Sequence, residues 1–172
     1  MRESVRGASP LVLAAVLLAS AAASPSTAAE PSGAFVDPRL GPLVRRTVGR
    51  AAERLGMPGC SEVLHDFADG RTGLPLAETL ASSGRTASSF VATLRFYDAD
   101  HMTQCRAKTW AWVPMGGDVV FVCKARFEKL VKKDEWLATN VLVHETLHTL
   151  GLGEDPPSSE EITAAVIRRC GR

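Results

Sequence analysis

The chain has 172 residues and a formal net charge of +1. That length implies a single domain. A near-neutral chain lacks the basic surface that nucleic acid or an anionic membrane demands, so neither is expected as a partner. The densest basic run, KLVKK at Lys129–Lys133, reads as a solvated approach to a helix.

Arg2 and Arg6 precede a short apolar run, LVLAAVLLA, from Leu11 to Ala19, and the small-residue stretch SAAASPSTAAE follows it. A basic start, an apolar centre and a small-residue exit describe a secretory signal peptide. The run is far short of the ~20 apolar residues that span a bilayer, so no membrane span is expected after signal removal. Residues 1–29 are expected to form the signal peptide and leader, with cleavage after Ala23 or Ala29, and 30–37 a flexible linker. Removing 1–29 takes away Arg2, Glu3 and Arg6 and brings the formal charge to 0. The remaining chain, 38–172, is long enough to bury one core without a partner. A secreted or periplasmic monomer is expected.

In PRLGPLVRRTVGRAAERLG, the residues Leu40, Leu43, Val44, Val48, Ala51 and Leu55 recur at spacings of three and four. This predicts an amphipathic helix that Gly56 ends. A second helix is expected over CSEVLHDFAD, stopped by Gly70, and a third over PLAETLAS, opened by Pro75 and closed near Gly84. SSFVATLRFYD fits a strand, with helix possible for its first half. KTWAWV alternates, placing Trp110 and Trp112 on one face. PMGG is a turn signal and DVVFVC a β-branched strand, so 108–123 reads as a β-hairpin. KARFEKLVKKD is read as the connection onward.

Asp134 then offers an N-cap and Glu135 suits a first turn. From Trp136 to Leu150 apolar residues fall on nearly every face, which predicts a buried helix over 135–150. Gly151 supplies its stop. EDPPSSEEITAAVIRRC opens with two prolines and a serine cap and continues as a last helix. All four cysteines lie beyond the leader. An even count in an exported chain suggests two disulfides, and four cysteines allow three connectivities. Cys105 and Cys123 flank the hairpin, which favours Cys105–Cys123 and, by elimination, Cys60–Cys170. No C-x-x-C pair suggests a cysteine metal site.

The buried helix carries HETLHTLGLGED, residues 144–155. His144 and His148 are i and i+4, so both imidazoles leave one face, one above the other. That spacing lets two side chains on a rigid backbone reach one tetrahedral zinc. Glu145 is offset from the ligand face, where it can hold a water. Zinc lowers such a water's pKa, and the carboxylate accepts its proton during attack on a carbonyl. A core helix with two satisfied histidines would carry the same five residues. The surroundings argue otherwise: neutral histidines and a glutamate are unfavourable on so apolar a helix unless something compensates them.

The stretch DVVFVCKARFEKL…NVLVHETLHTLGLGED resembles the zincin metallopeptidases over about residues 118–155. The resemblance implies an α+β fold. A small mixed or antiparallel sheet, with hairpin 108–123, packs on the buried helix 135–150, and helices lie at both termini. It also implies an edge strand that holds a peptide or protein substrate extended, His144 and His148 as Zn2+ ligands, and Glu145 as general base. The spacing is similar to the metzincin string H-E-x-x-H-x-x-G-x-x-H, with Gly151 on the glycine. Glu154 replaces the last histidine, and no methionine turn follows. The chain therefore resembles a separate small zincin family.

A catalytic zinc needs a third protein donor. Glu154, three residues past Gly151, is the first candidate. Asp155, Glu160, Glu161 and His101 are alternatives. Pro156 should hold Asp155 extended, and Glu160 and Glu161 are also explained as helix first-turn acids. Tyr97 as an oxyanion donor, His101 and His65 carry less weight: strand tyrosines usually pack, and loop histidines are usually solvated. The expected function is a secreted zinc metallopeptidase. The alternatives are a non-catalytic secreted binding module on the same fold, and a disulfide-stapled structural protein without metal.

Overall fold

The computed structural model describes residues 33–171; the signal peptide and leader expected over 1–29 lie outside them. The first strand, β1 (Phe35–Val36), falls inside the stretch expected to be a linker. Phe35 N–H donates to the Leu94 carbonyl and Asp37 N–H to that of Phe96. Val36 and Asp37 are buried. Arg39 accounts for the buried carboxylate: its guanidinium and its backbone N–H both donate to Asp37 and hold that carboxyl at about 2. The folded unit therefore begins before residue 38, with Phe35–Val36 in the sheet and Asp37 buried beside it.

A 3-10 turn over Pro38–Leu40 leads into α1 (Gly41–Leu55), whose inward stripe is Val44, Thr47, Val48, Ala51 and Leu55. The second expected helix is shorter than its sequence suggested: α2 (Pro58–Ser61) gives way to a 3-10 turn at Glu62–Leu64. Then come α3 (Leu76–Ser82) and α4 (Ala87–Val91). The stretch that fitted a strand is split: Thr86 and Ser89 form a reciprocal capping box that commits its first half to helix, and β2 (Arg95–Asp98) follows. β3 (Ala111–Trp112) and β4 (Val119–Val122) form the hairpin. Beyond it, the connection is itself a helix, α5 (Lys124–Lys133), burying Phe127, Leu130 and Val131. That spacing of three and four was present in the sequence but was masked by the lysines around it. α6 (Glu135–Thr149) and α7 (Ser159–Cys170) complete the fold.

The architecture is α+β. Its four-stranded mixed sheet has the order β1-β2-β4-β3. β1–β2 and β2–β4 are parallel, and β4–β3 is antiparallel. The hairpin therefore leaves β3 as one edge of the sheet. α6 packs against α1, α5, α7, β3 and β4, which explains why it is apolar nearly all round. Its N-terminus is fixed by Asp134, whose side chain accepts from Leu137 N–H. None of the described helices is long and apolar enough to cross a membrane.

Both favoured disulfides are present, Cys60–Cys170 and Cys105–Cys123. The first ties the last helix to the segment after α1. Three other contacts hold the same end. Arg54 donates to the Cys170 and Gly171 carbonyls at 2.9 and 2.8 Å, the Trp136 indole N–H donates to the Gly171 carbonyl, and Arg169 makes a two-point ion pair with Asp66. A cross-link limits the unfolded chain more as the closed loop grows. The sequence separations are 110 and 18 residues. Replacing Cys60 and Cys170 by serine should thus lower unfolding stability by about 5 kcal/mol, against about 3 for Cys105 and Cys123. Denaturant titration of the two double variants under non-reducing conditions measures the order; a larger loss at Cys105/Cys123 contradicts it.

Candidate metal centre

α6 ends in a hydrogen-bond pattern that reverses the chain. Gly151 N–H donates to the His148 carbonyl, and Leu152 N–H reaches back to the Leu147 carbonyl, the two bonds of a Schellman turn. Gly151 has φ +103°, a conformation L side chains rarely adopt. There is no room for one either, since a Cβ there would lie 2.4 Å from Asp69 Oδ1. Buried Asp69 is paired with Arg71, and Gly70 N–H donates to the Gly151 carbonyl. The hairpin turn docks on the same spot: Gly116 N–H donates to the His148 carbonyl at 2.9 Å.

The reversal has a direct consequence for the side chains. It returns the Leu152 carbonyl to His148, whose Nδ1 lies 2.8 Å away. Two residues further on, Glu154 Oε1 stands 3.3 Å from His148 Nε2 and 3.6 Å from His144 Nε2. The two Nε2 atoms are 3.0 Å apart. On its other side, His144 Nδ1 meets Thr163 Oγ1 of α7 at 3.0 Å.

These distances can be tested against a metal. Donors about 2.0–2.1 Å from a tetrahedral zinc lie about 3.3 Å from one another. The three observed separations, 3.0, 3.3 and 3.6 Å, bracket that value. The chemistry agrees. A carbonyl only accepts, so His148 carries its proton on Nδ1 and presents a lone pair at Nε2. A carboxylate oxygen faces the same point. The two imidazoles are buried and the Glu154 side chain is 48% exposed, and together they form a donor set that a cation can fill. His144, His148 and Glu154 are the described residues whose arrangement can hold a metal.

Glu145 is next to the group, buried, on the wall of the same cleft. Burial, with the negative charge of Glu154 added, pushes its carboxyl up to about 8. Burial and His148 push His144 down to about 4, against the pull of Glu154. Both directions describe a dry site that resists ionisation until an opposite charge is supplied. The cleft has a volume of about 840 Å³, within the range of ligand sites. The hairpin strand forms one wall through Trp110, Trp112 and Met115, and α6 faces it with Leu137 and Val141.

The other sequence candidates sit elsewhere. Asp155 is exposed and takes φ +76° rather than the extended backbone expected before Pro156; aspartate tolerates this region better than most residues. Glu161 is consumed by a capping box, accepting from Ser158 N–H and Oγ. Glu160 lines the cleft but is not among the converging donors. His101 and His65 are exposed. Tyr97 packs on Phe35, ring centroids 5.3 Å apart, on a strand separated from β3 by β4. Sequence reasoning missed Thr163, the Leu152 carbonyl and the Asp69–Arg71 buttress. Nothing in spacing or composition marks them, because each reaches the site through tertiary packing.

No protein family, curated protein or solved structure matches the chain.

Two outcomes are expected. His144→Ala and His148→Ala should each abolish stoichiometric binding of a divalent transition metal, and Glu154→Gln should weaken it more than Asp155→Asn, Glu160→Gln or Glu161→Gln. Competition with a chromophoric chelator measures this, and wild-type affinity in Glu154→Gln refutes the third donor. Gly151→Ala should lose more than about 1 kcal/mol of stability, because alanine is strained at that φ, and should weaken the metal with it by displacing Glu154. Thermal unfolding and the same chelator assay read both effects.

Proposed function

We propose that the protein is an extracytoplasmic zinc-dependent hydrolase, a metallopeptidase of zincin-like type. One observation carries this reading: two histidine nitrogens and a carboxylate oxygen converge at metal-ligand spacing, and a second carboxylate, Glu145, stands beside them in an open cleft. Two histidines and one glutamate, with a position left for solvent, form a donor set suited to catalytic zinc. When bound there, the metal acts as a Lewis acid and lowers the pKa of water.

The chain's own groups take the remaining roles. Glu145 accepts the proton of the attacking water and returns it to the leaving amine. Its burial keeps bulk solvent from that carboxylate. The substrate is an extended peptide laid along the outer edge of β3, pairing with main-chain groups as an added strand. Trp110, Trp112 and Met115 on one wall, with Leu137 and Val141 opposite, favour an apolar side chain beside the scissile bond. The signal-like N-terminus and the two disulfides support an export address, secreted or periplasmic.

The test is metal analysis of the exported protein followed by peptide-library hydrolysis with and without a chelator. Glu145→Gln should retain one equivalent of zinc and lose turnover by about 10²-fold or more. An amide of the same shape that still turns over near the wild-type rate refutes the base, and a chelator-insensitive activity refutes the metal.

A further inference from the structure

The two histidines differ in what stands behind them. His148 Nδ1 faces a backbone carbonyl, that of Leu152, at 2.8 Å. This partner can only accept, so His148 is fixed in one tautomer, with Nε2 bare. His144 Nδ1 faces a hydroxyl, that of Thr163, at 3.0 Å. A hydroxyl both donates and accepts, so His144 is free to take either tautomer. The 3.0 Å gap between the two Nε2 atoms is a hydrogen-bond distance. With His148 fixed, a hydrogen bond across that gap requires the proton on His144 Nε2. Holding a metal requires it on His144 Nδ1.

We propose that Thr163 is a positioning residue of the metal centre. Its hydroxyl accepts from His144 Nδ1–H when Nε2 is a ligand, and donates to Nδ1 when the metal-free site closes through a His144–His148 hydrogen bond. This rests on the zinc reading above. The change moves one proton from Nε2 to Nδ1 of one ring, exchanged through solvent, and alters no net charge. Neither state leaves a ring nitrogen unpartnered, so the donors stay assembled whether or not metal is present. A carbonyl or carboxylate behind His144 would favour only the ligand tautomer.

The role reaches further back in the chain. Thr163 lies one turn into α7, and the far end of α7 is anchored by the Cys60–Cys170 disulfide, by Arg54 and by the Asp66–Arg169 ion pair. The hydroxyl is thus delivered to His144 by a helix that cannot readily shift.

Thr163→Val removes the hydroxyl and keeps the shape, and Thr163→Ser keeps the hydroxyl. Zinc affinity, by chelator competition, should fall about tenfold or more in Thr163→Val and stay within about threefold of wild type in Thr163→Ser. Ring 15N chemical shifts of the wild-type protein should place the His144 proton on Nε2 without zinc and on Nδ1 with it, and the His148 proton on Nδ1 in both. These spectra decide the matter even if the valine variant does not fold. Wild-type affinity in Thr163→Val, or a His144 proton on Nδ1 in zinc-free protein, overturns the inference alone. Wild-type protein that binds no zinc overturns the metal reading and the inference with it.

Discussion

Two imidazole nitrogens and a carboxylate oxygen brought within 3.6 Å of one another on the wall of an open cleft are an arrangement that no single element of the chain can build. His144 Nε2, His148 Nε2 and Glu154 Oε1 lie 3.0–3.6 Å apart, with both imidazoles buried and the Glu154 side chain 48% exposed. Much of the nearby structure reads as the scaffold that holds them there. α6 supplies two imidazoles one turn apart and is packed on several sides, against α1, α5, α7, β3 and β4. The Schellman turn at Gly151 supplies the carboxylate. It does so by bending the chain within two residues, so that Leu152 fixes one ring while Glu154 faces the other side of it.

That turn is in turn fixed by elements remote in sequence. Asp69, buried and paired with Arg71, fills the space a Cβ on Gly151 would need. Arg71 also fills the space a Cβ on Gly116 would need, and Gly116 caps the His148 carbonyl from the hairpin turn. One carbonyl at the end of α6 thereby receives N–H groups from its own helix terminus and from the sheet. This couples the helix that carries the donors to the strand that lines the cleft. The wall and the three converging side chains are therefore held at a fixed separation.

How far the sequence foretold this depends on whether the controlling interaction is local. The helix over 135–150 was legible because burial on all faces leaves an apolar run no strand would need. Asp134 as its cap and Gly151 as its stop follow from backbone chemistry within one turn. The nearness of Glu154 to the histidines followed from the resemblance to a metzincin string, and the Cys60–Cys170 and Cys105–Cys123 pairings from elimination around a hairpin. The failures are non-local. Phe35–Val36 is too short to alternate, and it is a strand only because β2 offers it a parallel partner. α5 hid its apolar face among five basic residues of a ten-residue helix. The parallel pairing of β2 with β4, two strands separated by twenty residues of loop and hairpin, leaves no mark in either segment. Thr163 is one threonine among several, and only the angle at which α7 crosses α6 gives it a ring nitrogen to meet.

The pattern of stabilisation follows the same division. The polar cluster must be carried by apolar packing and cross-links elsewhere, because burying Glu145, His144 and His148 together opposes folding. Around the site the core is continuous: Leu142, Val143 and Leu147 on α6, Ile162 and Val166 on α7, Phe127 on α5, all essentially inaccessible. Each fully buried leucine or isoleucine contributes about 1.5–3 kcal/mol, so a handful suffices to offset the polar residues. The long-range disulfide adds to this where α7 would otherwise be free to fray, at the end opposite its capping box. Any ligand that binds the folded donors and not the unfolded chain adds a further increment, set by its concentration relative to its dissociation constant. A cation at these three atoms would do this most directly, since each would give it a lone pair.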